Sequence, residues 1–420
     1  MGEKLTQLTM RLNGFRMRKK LLYPITSKIR LTAILAICLV AVSCTKDEKS
    51  EPSPTPQPYW GEAYLTDSTY LADKHMKVYN FAYSSFDPYG REVMLSGSIT
   101  LGDEVSRQAP ARGLLLYNHF TAYRADQCPS RGDLSNQSLS VGSGLITISA
   151  DYYGFGLTEQ YHQAYCMALS NARASIHALQ AAKHLLNEMG YSWDDVLFNI
   201  GYSQGGQTAM GVVLLAAMEY HDLNITYTFA GAGSYDLQET YRQFIKATIA
   251  GMPSTVISVM LSYNEFMGLG IAYEDMFKEP VLNHIDDWFF SKQYTRSQID
   301  SLVGTLTIAD YVTPTMLDTT SALSMRMMEA LDFDHLCKGW HPRGDEHIML
   351  FHSTQDITVP VANTQKMYDF LVNNGVQDVD LQIHDIAGTS TTPAHENASI
   401  MFALLTMNKM CQIMGIESWL

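Results

Sequence analysis

The pentapeptide GYSQG at residues 201–205 has the residue types that a nucleophilic serine requires. It follows the apolar run VLFNI at 196–200 and precedes a helical run at 205–220, so a turn joins a strand to a helix there. Such a turn exposes the serine hydroxyl, and the flanking glycines let strand and helix pass close together. We predict Ser203 as a nucleophile, with a glycine-rich turn that carries an incidental serine as the alternative.

A serine hydroxyl attacks a carbonyl carbon when a base takes its proton and a carboxylate orients that base. Asp356 follows a predicted strand at 347–352, and His395 follows another at 379–386, in a Gly/Ser/Thr-rich loop before the last helix. The order Ser, acid, His along the chain is one in which such triads occur. We therefore predict Asp356 as the acid and His395 as the base.

Other residues compete for these two roles. Asp332 and Asp334 are alternatives for the acid, but both precede the strand that Asp356 follows. His384 lies within a predicted strand, where its side chain would belong to a sheet face. Asp356 as a turn residue and His395 as an exposed loop histidine are the non-catalytic interpretations.

Negative charge that develops on the attacked oxygen needs two backbone N–H donors. We predict the N–H of Gln204, directly after the nucleophile, as one of them. The second is predicted in the loop after the apolar run GLLLYN (113–118), where Phe120 and Thr121 are the two candidates. His119, in the same loop, is predicted as a buried anchor.

Apolar strand patterns alternate with helical patterns through most of the chain, which predicts a mostly parallel, doubly wound α/β sheet. One stretch breaks this alternation, because residues 234–345 carry helical patterns and no convincing strand, and they are too many for a connection. We predict that they form a helical cap inserted into a core of residues 59–233 and 346–420.

Several segments, taken in order, resemble the secretory-lipase-like, or esterase, branch of the α/β-hydrolases: residues 113–121, 150–156, 201–205, 228–237, 339–342 and 356–360. The similarity covers most of residues 75–412. It implies the α/β-hydrolase fold with a helical cap over the sheet edge, and hydrolysis of acyl esters or lipid-like substrates without a cofactor. The chain departs from many relatives of that branch at Phe120, where they carry glycine. The bulkier side chain implies either a narrower acyl pocket or a shift of the second oxyanion donor by one residue.

Two other functions stay open on the sequence alone. A prolyl or dipeptidyl peptidase on the same fold would need a cap carboxylate to hold a free amine, and Glu239, Glu265, Glu274 and Asp275 are available. A non-catalytic surface binding protein is the other, although an intact triad argues against it.

Residues 1–44 are typical of a targeting segment, since a basic stretch precedes an apolar run at 31–42 that is too short to span a bilayer. The run ends in AVSC, which resembles a bacterial lipobox and predicts Cys44 as the lipidated first residue; an ordinary secretory signal is the alternative. Residues 45–58, charged and then proline-rich, are predicted as a tether. We expect a lipid anchor in the outer membrane of a Gram-negative bacterium, facing the periplasm or the cell surface.

Charge and ligand types exclude further partners. The chain has 29 basic and 43 acidic residues. Residues 1–44 contain eight of the basic residues and one of the acidic residues. The remainder therefore has 21 basic and 42 acidic residues, a net charge of −21. Such a surface repels nucleic acid. No metal site is predicted, because one polar cluster matches no standard zinc spacing: Asp332, Asp334, His335, Cys337, His341 and His347. The oligomeric state is left open, as is any disulfide pairing among Cys128, Cys166, Cys337 and Cys411.

Overall fold

The computed structural model describes residues 61–132 and 140–417, which build one nine-stranded sheet with helices on both faces. The predicted signal segment, Cys44 and the tether lie outside the described residues. In chain order the strands are β1 (Ala63–Leu71), β2 (Met76–Phe86), β3 (Glu92–Gly102), β4 (Gly113–Asn118), β5 (Leu145–Ala150), β6 (Leu197–Tyr202), β7 (Tyr227–Gly231), β8 (His347–Ser353) and β9 (Asp378–His384).

The strand order across the sheet is β1-β2-β3-β5-β4-β6-β7-β8-β9. The first three strands and the β3–β5 pair are antiparallel, and every pairing from β5 through β9 is parallel. The mostly parallel sheet predicted from the sequence is therefore present.

The α-helices are α1 (Ala168–Glu188), α2 (Gln204–Met218), α3 (Leu237–Ala247), α4 (Pro253–Phe266), α5 (Tyr273–Met276), α6 (Arg296–Val303), α7 (Ile308–Tyr311), α8 (Pro314–Leu317), α9 (Ala322–Leu331), α10 (Ala362–Asn373) and α11 (Ala394–Met414). Single turns of 3-10 helix and one π-helical turn, Asp286–Phe290, also occur. Among the described helices, none combines the length and apolar character needed to cross a bilayer.

The central strands are covered on both faces, as parallel strands require. Alternate residues of β8 show this: Ile348 and Leu350 belong to the core cluster that contains residues of α1, α2 and α10, whereas Met349 and Phe351 pack with α11. This two-sided burial explains why the central strands are continuous apolar runs in the sequence.

Strand β1 was not predicted from the sequence. Its sequence AYLTDSTYL is rich in polar residues, and it pairs only with β2 at the edge of the sheet, where most of its side chains are exposed. An exposed edge strand contributes few buried side chains, so it lacks the apolar alternation that marks a strand.

Helices α3 to α9 all lie between β7 and β8 in the chain, within the stretch predicted as a cap. Residues 314–331 form two helices, α8 and α9, rather than one continuous helix. Asp318 interrupts it by accepting hydrogen bonds from the N–H and hydroxyl of Thr320, and Ser321 caps α9 by accepting from the N–H of Ser324. Such local side-chain bonds compete with a continuous helix.

The four cysteines in the described residues are buried free thiols. Burial raises the pKa of Cys166 to about 12, and it also raises the pKa values of Cys128 and Cys337. The thiols of Cys128, Cys166 and Cys337 are therefore protonated at neutral pH and are packed as small apolar side chains.

Asp334 joins the helical stretch to the sheet-flanking helices. Its carboxylate accepts a hydrogen bond from the hydroxyl of Tyr263 in α4 (2.7 Å) and one from the N–H of Leu169 in α1 (3.2 Å). Complete burial raises its pKa from 3.8 to about 6, even though the hydrogen bond from Tyr263 opposes the shift. The ionised carboxylate is therefore costly at neutral pH.

Asp334→Asn should show that cost as a pH-dependent difference in stability. A carboxyl whose pKa is raised on folding binds its proton more tightly in the folded state, so wild type loses stability as pH rises through 6. The loss relative to acid pH is roughly 3 kcal/mol. The unfolding free energies of the two proteins, measured in urea from pH 4 to 7, should shift in favour of Asp334→Asn as pH rises from about 4 to 6. A difference independent of pH would contradict this assignment.

Candidate active site

Ser203 occupies a strained turn between β6 and α2. It is the N-cap of α2 and has φ 58° and ψ −123°, a conformation that costs a non-glycine residue free energy. Its N–H donates to the carbonyl of Gly231 (2.8 Å). A Cβ on Gly205 would lie 2.1 Å from the carbonyl oxygen of Asn118, so only glycine lets α2 pass the end of β4. The turn thus lifts the serine above the end of the sheet.

Three predicted residues meet at one edge of the sheet. Strands β6, β8 and β9 are parallel, so the segments that follow them start at the same edge. Nε2 of His395 lies 2.7 Å from Oγ of Ser203, and Nδ1 of His395 lies 2.5 Å from Oδ2 of Asp356. Residues separated by up to 192 positions in the chain therefore form one hydrogen-bonded series.

The partners of His395 decide where its proton lies. A carboxylate only accepts hydrogen bonds, so Nδ1 carries the proton and donates to Asp356. Nε2 is then free to accept the hydroxyl proton of Ser203. Neutral His395 in this tautomer is the form that a general base needs.

The Asp356 carboxylate is buried but fully paired. Its Oδ1 accepts the N–H groups of Thr358 (2.8 Å) and Val359 (2.9 Å). Burial alone raises the pKa of Asp356, but the charge of His395 and hydrogen bonds from His352 and His395 outweigh it. The net effect is a pKa well below the ordinary value, which keeps Asp356 ionised.

His395 lies in the first turn of α11, not in the loop before that helix as the sequence analysis placed it. Pro393 is the N-cap and has φ −56°, which is already compatible with a helix start, so the helix begins at Ala394 and includes His395. The hydroxyl of Tyr202, the residue before the nucleophile, donates to the carbonyl of His395 (2.6 Å). This bond ties the start of α11 to the end of β6.

The predicted oxyanion residues lie around the same serine. Phe120 and Thr121 line a cavity together with Ser203, and Gln204 begins α2. Among the hydrogen bonds of the described residues, none is donated by the N–H of Phe120 or of Thr121. Which of the two completes an oxyanion hole stays a prediction.

Two buried groups support the loop that carries Phe120. The ring of His119 stacks on Tyr152, with its nitrogens 2.7 Å from the carbonyl of Phe120 and 3.2 Å from that of Asp151. The Asp151 carboxylate accepts from the hydroxyls of Ser96 (2.6 Å) and Ser130 (2.5 Å). Both groups therefore hold loop geometry and lie outside the Ser203–His395–Asp356 series.

The cavity above Ser203 has a volume of about 350 Å³. Its apolar wall includes Phe120, Ile200, Met252 and Phe402. Phe120 is a wall residue, as expected if its ring narrows the pocket, and Met252 comes from the helical stretch. The cavity size and apolar wall suit a small, mostly apolar ligand.

A half-buried ion pair lines one side of the cavity. Arg296 of α6 donates to Glu396 (2.6 Å), the residue after His395, and to Asp300 (2.5 Å). Sequence reasoning missed this pair, because Arg296 and Glu396 are 100 positions apart and neither lies in a recognisable motif. It joins the helical stretch directly to the turn that carries His395.

The competing candidates have other partners. Asp334 bonds Tyr263, Asp332 pairs with Lys338, and the ring of His384 lies 3.2 Å from the side chain of Gln382. Within residues 61–132 and 140–417, no group of three His, Cys, Asp or Glu side chains has an arrangement that could hold a metal ion.

Neither protein-family models nor curated protein sequences give a match to this chain. Several solved structures are similar to it in fold. The rice cell wall degrading esterase LipA of Xanthomonas oryzae is 19% identical with a TM-score of 0.68, over 85% of this chain and 98% of its own. A protein of Legionella pneumophila described as a hydrolase is 18% identical with a TM-score of 0.72, over 84% and 97%.

Lipase A of Candida antarctica in its closed state is more distant, at 13% identity and a TM-score of 0.60, over 84% of this chain and 81% of its own. At these identities the likeness shows the fold. The chain has the α/β-hydrolase fold, and this part of the sequence prediction is confirmed.

Proposed function

We propose that the protein is a serine hydrolase that cleaves carboxylic esters through an acyl-enzyme. The observation that supports this most is the continuous hydrogen-bond series from Ser203 through His395 to Asp356, which opens into an apolar cavity. The fold likeness to esterases and lipases agrees with this reaction but does not by itself assign it.

The first half of the reaction forms the acyl-enzyme. Oγ of Ser203 attacks the ester carbonyl carbon while Nε2 of His395 takes the hydroxyl proton, and Asp356 stabilises the resulting imidazolium. The N–H of Gln204 and that of Phe120 or Thr121 hold the negative oxygen. His395 then gives its proton to the leaving alkoxide, so the alcohol departs and the acyl group stays on Ser203.

The second half uses water in place of the alcohol. His395 takes a proton from the water as its oxygen attacks the acyl carbon, and returns that proton to Oγ of Ser203 as the C–O bond breaks. A carboxylic acid leaves and the enzyme is restored. Each step uses only side chains and backbone donors of this chain.

A peptidase is the second candidate, and the cavity gives it less support. The four cap carboxylates that could hold a free amine, Glu239, Glu265, Glu274 and Asp275, are not among the residues that line the cavity. The carboxylate that does line it belongs to Glu396 and is already in an ion pair with Arg296. An unpaired anion for a peptide amino terminus is therefore lacking in the described cavity wall.

Ser203→Ala should abolish turnover of p-nitrophenyl acyl esters. Loss of the nucleophile is expected to lower kcat by about 10³-fold or more, since oxyanion stabilisation and binding alone give only a small residual rate. Initial rates on esters of increasing acyl length and on aminoacyl anilides would measure both the loss and the preference, with esters cleaved faster by wild type.

Ser399→Ala is the matched control, because Ser399 lines the same cavity without belonging to the hydrogen-bond series. Its rates should stay close to wild type. Equal ester hydrolysis by wild type and Ser203→Ala would remove the proposed function, and faster cleavage of anilides than of esters would favour the peptidase.

We also propose, from the sequence of residues 1–58, that the protein is exported and lipid-anchored at Cys44 in the outer membrane of a Gram-negative bacterium. The lipobox-like AVSC and the proline-rich segment after it support this location. The tether would then let the hydrolase domain act on substrate away from the bilayer surface.

Cys44→Ala should release the protein from membranes when it is produced in a Gram-negative host, because the acyl attachment point is lost. Detergent-phase partitioning and membrane fractionation should find wild type with the membranes and Cys44→Ala in the aqueous fraction. Cys38→Ala, a change within the apolar run, should behave as wild type. Membrane retention of Cys44→Ala would rule out this anchor.

A further inference from the structure

A second histidine lies beside the Asp356 carboxylate, near the same oxygen that His395 binds. His352 is the next-to-last residue of β8, and its side chain is fully buried. Its Nε2 lies 3.3 Å from Oδ2 of Asp356 and 2.8 Å from the carbonyl oxygen of Val359. The reaction described above does not use this ring.

The partners of His352 fix its protonation pattern. Nε2 faces a carboxylate and a carbonyl, both of which only accept, so Nε2 carries a proton. It donates this proton to the carbonyl of Val359 and lies 3.3 Å from Oδ2 of Asp356. Nδ1 lies 2.6 Å from the hydroxyl of Thr364 in α10, and this hydroxyl can donate to it. The ring is thereby held between α10 and the loop after β8, with a polar partner at each nitrogen.

The hydrogen bonds to Asp356 divide between its two oxygens. Oδ1 accepts the N–H groups of Thr358 and Val359, whereas Oδ2 accepts from Nδ1 of His395 and lies 3.3 Å from Nε2 of His352. The partly positive N–H of His352 therefore attracts the same carboxylate oxygen that His395 binds. The same ring also holds Val359, whose N–H binds Oδ1.

We propose that His352 is a positioning residue, which holds the Asp356 carboxylate with Oδ2 aimed at Nδ1 of His395. The inference rests on the proposed hydrolase function and deepens it. His352 does not touch substrate; it acts through Asp356, in the way that outer groups orient inner ones at other sites. Without this ring, the Val359 carbonyl would lose its hydrogen bond and Oδ2 its contact with Nε2, so Asp356 would be held less firmly in the geometry that orients His395.

A role confined to holding the fold is the competing explanation, and a double-mutant comparison separates the two. If His352 acts through Asp356, its removal matters only while Asp356 is an aspartate. If it serves packing alone, its removal should cost as much activity in an Asp356→Asn background as in wild type.

The experiment measures kcat and KM for a p-nitrophenyl ester in four proteins: wild type, His352→Met, Asp356→Asn and the double variant. We expect His352→Met to lower kcat by about 10- to 100-fold with little change in KM, since a small misplacement of a reacting group is this costly. In the Asp356→Asn background the same change should alter kcat by less than about threefold.

Two variants keep the test decisive if His352→Met does not fold. His352→Gln retains an N–H donor near the position of Nε2 and should keep kcat within about threefold of wild type. Thr364→Val removes the hydroxyl that bonds Nδ1 while preserving shape, and should lower kcat in wild type but not in Asp356→Asn. His384→Met, at the end of the neighbouring strand β9, is the matched control and should leave kcat unchanged.

Equal losses in the two backgrounds, or an unchanged kcat in His352→Met, would overturn the role of His352 while leaving the hydrolase proposal intact. Ester hydrolysis that survives Ser203→Ala would instead remove the hydrolase proposal itself. The two failures are therefore distinguishable by the Ser203→Ala measurement.

Discussion

A buried carboxylate has to be paired, and much of the sheet edge is arranged around this requirement. Asp356 is taken out of water at the end of β8, where an unpaired charge would cost several kcal/mol. Two backbone N–H groups and His395 bind it, and Nε2 of His352 lies 3.3 Å from its Oδ2. Its negative charge in turn fixes the proton of His395 on Nδ1 and leaves Nε2 for Ser203. The reactivity proposed for Ser203 thus depends on the pairing of a distant aspartate.

The helices between β7 and β8 contact this arrangement through polar groups. Arg296 of α6 reaches the turn of His395 by its bond to Glu396. The helical stretch therefore does more than cover the cavity, because it also restrains the start of α11. Changes in these helices are expected to alter both the shape of the cavity and the placement of the base.

The sheet and the candidate residues Ser203, Asp356 and His395 could be predicted from the sequence because both follow from local signals. Buried parallel strands appear as apolar runs, and strand order makes Ser203, Asp356 and His395 follow strands that end at one edge. Strand β1 was missed because its exposed edge has no apolar alternation. Arg296 and His352 were missed since their roles arise from contacts across the fold, and a histidine inside a strand gives no periodic signal.

The most direct measurement of the central claim is the site of acylation. Wild type is mixed with a slowly released ester, quenched in acid within its first turnovers, and digested for peptide mass spectrometry. The account predicts an acyl group on the peptide containing Ser203, absent from Ser203→Ala and much reduced in Asp356→Asn. Hydrolysis of the ester with no acyl group on Ser203, or with the group on another residue, would contradict it.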